Sequence, residues 1–489
     1  MTASGPSVSS RADLVEPFLS GQRWFGGKGR PFRVSAVHRV GAVPASADLL
    51  PPVVYLAVVE YADPEGGSEL YQLPLALYER PEERLSHAYL GLWEDEQFGS
   101  VHAYDAVHDR SAMACWLRAF VDPGAAAGAG PLSFHALPGL QLDPEALSTP
   151  FTGEQSNSTV LFGEECLLKL FRRLTPGRNP DIEIHEHLTR AGSDHIARLY
   201  GWVETSASAD KASTDGASTD GASTDGEVVQ LGMLQELLRT ASDGWDLAQA
   251  SVRNLFAEAD LHAEEVGGDF ASESARLGEA VAAVHATLRE ELGTDTLDAT
   301  EVAEGMRGRL AAAVDVVPAL VAQRESLLAA YDRLAEVGEL AAQRIHGDLH
   351  LGQTLRTVHG WKLVDFEGEP ARPLAERSKP DSVWRDVAGM VRSFDYAARV
   401  VERTLGADSP ASANQLAFRG DEWVGLNSDA FVTSYVGDRA ATDTERVVLA
   451  AYLADKAVYE AVYEARNRPA WVDIPLSAIA TLTTQQSEV

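Results

Sequence analysis

The stretch from His346 to Glu369 constrains the chain more than any other part of the sequence. It reads HGDLHLGQ, passes through a short gap and ends in WKLVDFEGE. It carries a carboxylate at Asp348, an amide at Gln353 and a second carboxylate at Asp365, which closes an apolar run. Phosphoryl transfer from a nucleotide needs a carboxylate to accept a hydroxyl proton, and amide and carboxylate oxygens to hold magnesium. The order of these groups therefore favours phosphoryl-transfer chemistry.

Protein kinases arrange the same groups as H-R-D-x-x-x-x-N followed by D-F-G. Here the spacing from Asp to amide is the same, with Gln in place of Asn, and D-F-E at 365–367 replaces D-F-G. Each piece alone has a simpler explanation, since His-Gly-Asp is commonly a turn and an Asp after a strand commonly caps a helix. Together they predict Asp348 as the catalytic residue, with Gln353 and Asp365 as Mg²⁺ ligands. We expect Trp361 to Phe366 to form the strand that delivers Asp365.

Composition bounds the class of protein. With 489 residues, two or three domains are expected. The net charge of −32 argues against nucleic acid or an anionic membrane as a partner, because both require a basic surface. The two cysteines give no disulfide framework, and no stretch reaches the length of a membrane span or resembles a signal peptide. These features predict a soluble, cytoplasmic protein.

The first part of the chain is rich in strand patterns. Val53 to Tyr61 and Glu69 to Leu77 are β-rich runs joined by Asp-Pro-Glu-Gly-Gly, a hairpin signal. The earlier RWFGGKGR segment lacks the order of a phosphate-binding loop, so a structural turn fixed by Trp24 and Phe25 is favoured. We therefore predict a small β-rich cap over residues 1–95.

Residues 96–237 are predicted to form a nucleotide-binding lobe. Ser158 to Phe162 and Cys166 to Phe171 indicate a hairpin whose second strand carries Lys169. In kinases the lysine of this strand contacts the phosphates and pairs with a helix glutamate. Glu183, in the helical pattern that follows, is the natural partner. A surface lysine on an edge strand is the simpler alternative.

Three polar residues, Ser156, Asn157 and Ser158, stand where kinases carry a glycine-rich loop. They can serve as a phosphate clamp, or they form a plain polar loop. Residues 205–227 contain ASTDG three times, and this composition predicts a flexible loop at the tip of a strand pair. The segment after it, Met233 to Leu237, is either a hinge that binds adenine through Met233, Gln235 and Leu237 or a simple linker.

Residues 238–489 are dominated by helical periodicity. On the helix Ala450 to Glu464, Asp455, Tyr459 and Tyr463 recur at i, i+4 and i+8, which places them on one side. With Glu460, they form either a sugar-binding surface or an ordinary packed helix. Asp386, near the start of another helix, is favoured as a support that accepts backbone N–H bonds from the catalytic loop.

Two residues beside the central motif have open roles. His350 and Glu367 adjoin the predicted catalytic and metal-binding groups, so each is expected to contact a sugar or a second metal ion. A non-catalytic kinase-like binding protein is the competing class. It predicts damage at the lysine or metal positions, yet Lys169, Glu183 and Asp365 are all present.

The chain resembles the actinobacterial maltokinase family, a branch of the kinase-like group that includes aminoglycoside phosphotransferases. The resemblance rests on HGDLHLGQ and DFEGEP and on several further segments, which are RWFGGKGR, EQSNSTVLF, LKLFRR, NPDIE, SVRNLFAEADLHAEEVGGDF, RDVAGMVRSFDYAA and DKAVYEAVYEARNRP. It implies an α+β, bilobal, protein-kinase-like fold with an N-terminal β-rich cap and a mainly helical C-terminal lobe over residues 238–489. It also implies ATP and Mg²⁺ as cofactors and a sugar as acceptor.

The chain departs from the family in the presumed sugar-facing segments. Leu453-Ala454 stands where maltokinases have Glu-Leu, Asn467 where they have His, and Asp473 where a neutral residue is common. Because a buried ammonium needs a paired carboxylate, the added Asp473 makes an amino sugar credible. We therefore favour glucosamine, phosphorylated at its 6-hydroxyl, over maltose, phosphorylated at its anomeric hydroxyl. Glucosamine kinases are relatives of the maltokinases.

Overall fold

A computed structural model describes residues 10–63, 66–126, 130–151, 153, 156–206, 228–239, 241–258, 262–263, 268–369, 372–406 and 410–487. The chain forms two compact units. The first comprises Met1–Ile182 and Arg198–Leu237, and the second comprises Glu183–Ala197 and Leu238–Val489. Most of the predicted flexible insert lies outside the described residues.

An antiparallel sheet at the start of the first unit, here called the cap sheet, has the order β1-β2-β3-β5-β4, and β10 pairs with β3. The predicted hairpin of β2 and β3 is confirmed. Because β5 pairs with β4, the sheet continues past residue 95, where the sequence suggested that the cap ends. Its strands are β1 Phe32–Ala42, β2 Val53–Tyr61, β3 Ser68–Tyr78, β4 Tyr89–Asp95, β5 Gly99–Asp105 and β10 Arg173–Leu174.

The other sheet of the first unit, here called the nucleotide sheet, has the order β6-β11-β12-β9-β8-β7. Both hairpins predicted here are confirmed, since β8 pairs with β9 and β11 pairs with β12. The strands are β6 Leu132–Ala136, β7 Ser148–Pro150, β8 Ser158–Phe162, β9 Cys166–Leu170, β11 Leu199–Thr205 and β12 Val229–Glu236. The helices begun in this unit are α1 Arg11–Gly21, α2 Arg110–Val121, α3 Pro123–Ala126 and α4 Pro180–Arg190.

Both sheets bury apolar side chains. Trp24 and Phe25 are buried in the core under the cap sheet, so the predicted structural turn is confirmed. A Cβ at Gly27 would lie 2.5 Å from the Tyr61 hydroxyl, which explains the glycine at this turn. In the nucleotide sheet, Leu168 and Leu170 point into the core, and Lys169 between them points the other way.

The second unit is mainly helical, as predicted. Its helices are α5 Gly244–Ala257, α6 Gly268–Leu292, α7 Ala299–Val316, α8 Arg324–Ala335, α9 Leu374–Arg377, α10 Val383–Leu405, α11 Pro410–Val436, α12 Asp443–Asn467 and α13 Asp473–Ser487. Its short strands are β13 Ser242–Asp243, β14 Asp295–Asp298, β15 Glu339–Ala342, β16 Thr354–Thr357 and β17 Gly360–Leu363. None of the described helices is both long and apolar enough to cross a membrane.

Two helices of this unit position the candidate site. Helix α10 starts at the N-cap Ser382 and buries Val387, Met390 and Phe394 in the core at helical spacing. Helix α12 starts at a capping box in which Thr442 and Glu445 satisfy each other's backbone N–H groups. Each start is therefore encoded locally, and the buried faces fix how the helices pack.

Candidate active site

The loop that carries Asp348 is held by one face of α10. The buried carboxylate of Asp386 accepts hydrogen bonds from the backbone N–H groups of His346 at 2.7 Å and Gly347 at 2.8 Å. One turn along, a Cβ at Gly389 would lie 2.4 Å from the Leu349 carbonyl oxygen, so glycine permits this close approach. The supporting role predicted for Asp386 is confirmed.

A histidine connects this loop to the segment of Asp365. His346 Nδ1 accepts from the Asp348 N–H at 3.4 Å, and Nε2 lies 3.0 Å from the Val364 carbonyl oxygen. The ring packs on Phe366 with centroids 4.7 Å apart. The loop of Asp348 and the segment after β17 are therefore fixed to each other.

The predicted metal ligands Gln353 and Asp365 lie side by side. Gln353 Nε2 donates to Asp365 Oδ2 at 3.2 Å. Asp365 has a φ of 67°, a left-handed backbone that is rare outside glycine and that clusters at functional sites. For this reason the strand predicted from Trp361 to Phe366 ends at Leu363, and Asp365 lies in the turn beyond it. Glu367 follows in the same turn, where its carbonyl oxygen accepts from Arg377 at 2.9 Å.

His350 lies in the same loop as Asp348, two residues later. Its Nδ1 accepts from the Gly352 N–H at 3.1 Å and caps the short helical turn Leu351–Gln353. Burial lowers the pKa of His350, while the charges of Asp348 and Asp365 act in the opposite direction. The structure gives His350 a positioning contact, and its predicted contact with sugar stays a prediction.

Asp348 forms an ion pair that the sequence did not reveal. Lys456 Nζ, from α12, lies 3.0 Å from Asp348 Oδ1. Burial alone would raise the pKa of Asp348, but Lys456 and nearby histidines hold it below its ordinary value. Burial would lower the pKa of Lys456, yet Asp348, Glu460 and Glu369 raise it. Both groups are therefore charged at neutral pH.

Asp348 and Lys456 line a cavity of about 770 Å³ within the second unit. This volume is typical of a small-molecule site. Among the described residues of the cavity wall, carboxylates outnumber cations. The carboxylates are Glu301, Asp348, Glu369, Glu376, Asp381, Asp386 and Asp455, and the cations are Arg309, Arg372, Lys379, Arg385 and Lys456. An excess of negative charge suits a cationic acceptor.

Helix α12 contributes one stripe to this cavity. Tyr452, Asp455, Lys456 and Tyr459 line it at positions i, i+3, i+4 and i+7. Two of the predicted sugar ligands, Asp455 and Tyr459, are therefore at the wall. Arg309 already holds Asp455 through Nε at 3.0 Å and Nη2 at 2.8 Å.

Like His350, three predicted sugar ligands from α12 and α13 lie outside the described lining of this cavity. Glu460 is bound by Arg392 of α10, which donates to it at 2.6 Å. Tyr463 is 47% exposed beyond the cavity end of the helix. Asp473 is exposed in the first turn of α13. These residues are therefore not at the described cavity wall, and their predicted contact with a sugar stays a prediction.

In the first unit, Lys169 Nζ lies 2.8 Å from Asp181 Oδ2, and both side chains are largely buried. The sequence did not identify Asp181, which lies in the first turn of α4. Glu183, two residues later, belongs to the second unit, where it lies 3.0 Å from Arg344. The pairing of Lys169 with Glu183 stays a prediction.

The polar segment Ser156, Asn157 and Ser158 leads into β8. Ser158 Oγ accepts from Arg172 Nε at 2.7 Å. The adenine-binding candidates lie at the end of β12 rather than in a free crossing segment. Met233 is buried and pairs with Lys169 and Trp202, Gln235 pairs with Leu167 and Leu199, and the Leu237 N–H donates to the Glu165 carbonyl at 3.0 Å.

Comparison with known proteins identifies the family. A model described as the maltokinase N-terminal cap domain matches residues 18–109. Glucosamine kinase from Streptacidiphilus jiangxiensis is 30% identical over 363 residues, which cover 69% of this chain and 75% of that protein. This chain belongs to the glucosamine kinase family. The predicted relation to maltokinases and glucosamine kinases is confirmed.

Further relatives agree with this membership. Glucosamine kinase from Mycolicibacterium smegmatis is 28% identical over 344 residues, covering 68% of this chain and 79% of that protein. A solved glucosamine kinase in complex with glucosamine, ADP and inorganic phosphate covers 97% of this chain and 100% of its own, with 22% identity and a TM-score of 0.63. Crystal form B of a glucosamine kinase gives a TM-score of 0.62 at 22% identity over 94% of each chain. The predicted kinase-like fold class is confirmed.

Proposed function

We propose that this chain is an ATP- and Mg²⁺-dependent glucosamine kinase that forms ADP and D-glucosamine 6-phosphate. The observation that carries the proposal is a carboxylate, Asp348, at the wall of an acidic cavity large enough to hold a sugar, in a member of the glucosamine kinase family. The positions that a non-catalytic relative would be expected to lose, Lys169, Gln353 and Asp365, are retained. This retention favours an enzyme over a binding protein.

The proposed chemistry starts from the ion pair of Asp348 and Lys456. Because Lys456 engages Oδ1, the other carboxylate oxygen is left to accept a hydrogen bond from the 6-hydroxyl of the sugar. The sugar oxygen forms a bond to the γ-phosphorus, the bond from that phosphorus to the bridging oxygen of ADP breaks, and the hydroxyl proton passes to Asp348. Positioning and charge stabilisation supply most of the catalysis in this class of reaction.

The donor set at Gln353, Asp365 and Glu367 suits magnesium, which prefers carboxylate and carbonyl oxygens. The 3.2 Å contact between Gln353 and Asp365 brings two of these side chains together. Bound Mg²⁺ supplies neutralisation of charge on the phosphate oxygens. In the first unit, Lys169 is proposed to bind the phosphates, with Ser156, Asn157 and Ser158 as the clamp.

A substrate panel tests the function most directly. Initial rates of ADP formation should be measured with glucosamine, glucose, maltose and an aminoglycoside at equal concentrations. We expect the highest kcat/KM for glucosamine, because the excess of carboxylates at the cavity favours an ammonium. Turnover of maltose alone, or of none of these sugars, would contradict the proposal. Phosphorus NMR of the product should locate the phosphate on the 6-hydroxyl.

Replacement of Lys456 tests the ion pair. A Lys456→Met variant is expected to lower kcat by roughly 10- to 100-fold, the value of one charge-assisted hydrogen bond. Since Lys456 lowers the pKa of Asp348, its loss should raise that pKa and move the acid limb of the kcat/KM profile to higher pH. Lys456→Arg keeps the charge and should restore part of the rate. If Lys456→Met were as damaging in an Asp348→Asn background as in the wild type, the lysine would not act through Asp348.

A further inference from the structure

A buried arginine connects the two sheets of the first unit. Arg172 lies between β9 and β10, and its side chain is 1% exposed. Nη2 donates to both carboxylate oxygens of Asp105, at 2.9 and 2.6 Å, and Nε donates to Ser158 Oγ at 2.7 Å. The guanidinium carbon lies 4.6 Å from the centre of the Trp24 ring. One side chain therefore contacts three separate segments.

These segments come from both sheets. Asp105 ends β5 of the cap sheet, and Trp24 belongs to the core beneath that sheet. Ser158 begins β8 of the nucleotide sheet and closes the polar segment proposed to bind phosphate. The backbone reinforces the link, because the Arg172 carbonyl accepts from Gln72 in the cap sheet at 2.7 Å. Arg172 follows Lys169 by three residues in the sequence.

The hydrogen-bond geometry at Ser158 has a consequence for phosphate binding. The Arg172 N–H occupies a lone pair of Ser158 Oγ, so the hydroxyl hydrogen is turned away from the guanidinium. The hydroxyl is therefore oriented as a donor, which is what a phosphate oxygen requires. Protein kinases hold this position with backbone N–H groups of a glycine-rich loop, and no such motif precedes Lys169 here. A fixed side chain can replace that backbone cradle.

Stability alone does not account for the arrangement. A buried ion pair adds little stability over apolar residues of similar volume, because both charges lose their hydration. Arg172 Nη1 is buried and makes no hydrogen bond to any described residue, which adds a further cost. The benefit that remains is a fixed orientation of the segments it contacts.

We propose that Arg172 is a positioning residue through which the cap sheet sets the affinity of the nucleotide sheet for ATP. The inference rests on the proposed ATP-dependent function. Asp105 and Trp24 hold the guanidinium, and the guanidinium holds Ser158 and the end of the strand of Lys169. The cap is thereby a support for nucleotide binding rather than for sugar binding.

The test compares nucleotide and sugar parameters in Arg172→Lys and Asp105→Asn. Lysine keeps the charge but cannot form the fork that reaches Asp105 and Ser158 together. We expect the Kd for ADP, measured by calorimetry, and the KM for ATP to rise about tenfold in both variants, the loss expected for one good hydrogen bond. The kcat and the KM for glucosamine should change less than about twofold, since a split between two substrates is not expected from general loosening.

Arg173→Lys is the matched control. Arg173 is the next residue, its side chain is 58% exposed, and it lies 2.9 Å from Glu69. We expect its nucleotide affinity to equal that of the wild type. If Arg172→Lys is unfolded at the assay temperature, Asp105→Asn carries the test, because it leaves Arg172 and Ser158 in place. It should weaken ADP binding by a similar factor.

Distinct results separate this inference from the proposed function. Unchanged ADP affinity in folded Arg172→Lys and Asp105→Asn would overturn the inference while leaving the kinase assignment intact. An equal rise in the KM of both substrates would overturn it too. A wild type that binds ADP but phosphorylates no sugar would overturn the function, and weaker ADP binding by the variants would still support the role of Arg172.

Discussion

An Asp348→Asn variant is expected to fold normally and to lose roughly 10²- to 10⁴-fold in kcat, the usual contribution of a positioned acid–base group. Asparagine has the size of aspartate and can still accept from Lys456 through its amide oxygen, but it is not a base. The KM for ATP should change little, because Asp348 lines the cavity assigned to the sugar. Steady-state kinetics with ATP and glucosamine, together with thermal unfolding, measure both expectations.

Asp332→Asn is the matched control for this variant. The Asp332 side chain is 63% exposed and pairs with Arg307 at 2.6 Å, and it is outside the described lining of the cavity. The same chemical change there should leave kcat within about twofold, as expected for a surface pair. Full turnover by Asp348→Asn would remove the proton-accepting role and with it the centre of the proposed mechanism.

The parts of the fold that could be predicted are those encoded over short distances. Alternating apolar residues with turn residues between them predict the hairpins β2–β3 and β8–β9. Proline cannot continue a helix, so the sequence also predicts a break near Pro318, and α7 ends at Val316. The pairing of the two-residue strand β10 with β3 has no such local signal, because it joins residues about a hundred positions apart.

At the candidate site, too, the features that could be predicted are those encoded over short distances in the sequence. Asp348, Gln353 and Asp365 could be recognised because their spacing lies within one loop and one turn. The partner of Asp348 could not, since Lys456 is 108 positions away and reaches it only when α12 packs beside the loop. The helical spacing could have indicated Lys456 as a site residue, because it falls on the same helical stripe as Asp455 and Tyr459.

The backbone conformation at Asp365 also could not be predicted from the pattern of apolar residues. The apolar run before Asp365 predicts a strand through Phe366, but the strand stops at Leu363 and Asp365 adopts a left-handed φ of 67°. Its place in this turn is fixed by tertiary contacts, such as that of His346 with the Val364 carbonyl. Such strain persists only where the surroundings over-determine it, so the unpredicted feature marks the site.

Replacing Asp365 by asparagine is expected to reduce kcat by roughly 10²-fold or more, because loss of one anionic ligand weakens charge neutralisation at the transferring phosphoryl group. Asparagine tolerates a left-handed backbone about as well as aspartate does, so the turn should survive.

The half-saturating concentration of Mg²⁺ at fixed ATP should rise in the Asp365→Asn variant. Calorimetry gives a reading independent of turnover: Mg²⁺ should tighten ADP binding to the wild type and have little effect on the variant. The Asp332→Asn protein should behave as the wild type does. An unchanged Mg²⁺ response in a folded Asp365→Asn protein would show that this carboxylate is not a metal ligand, and the strained φ of Asp365 would then need another explanation.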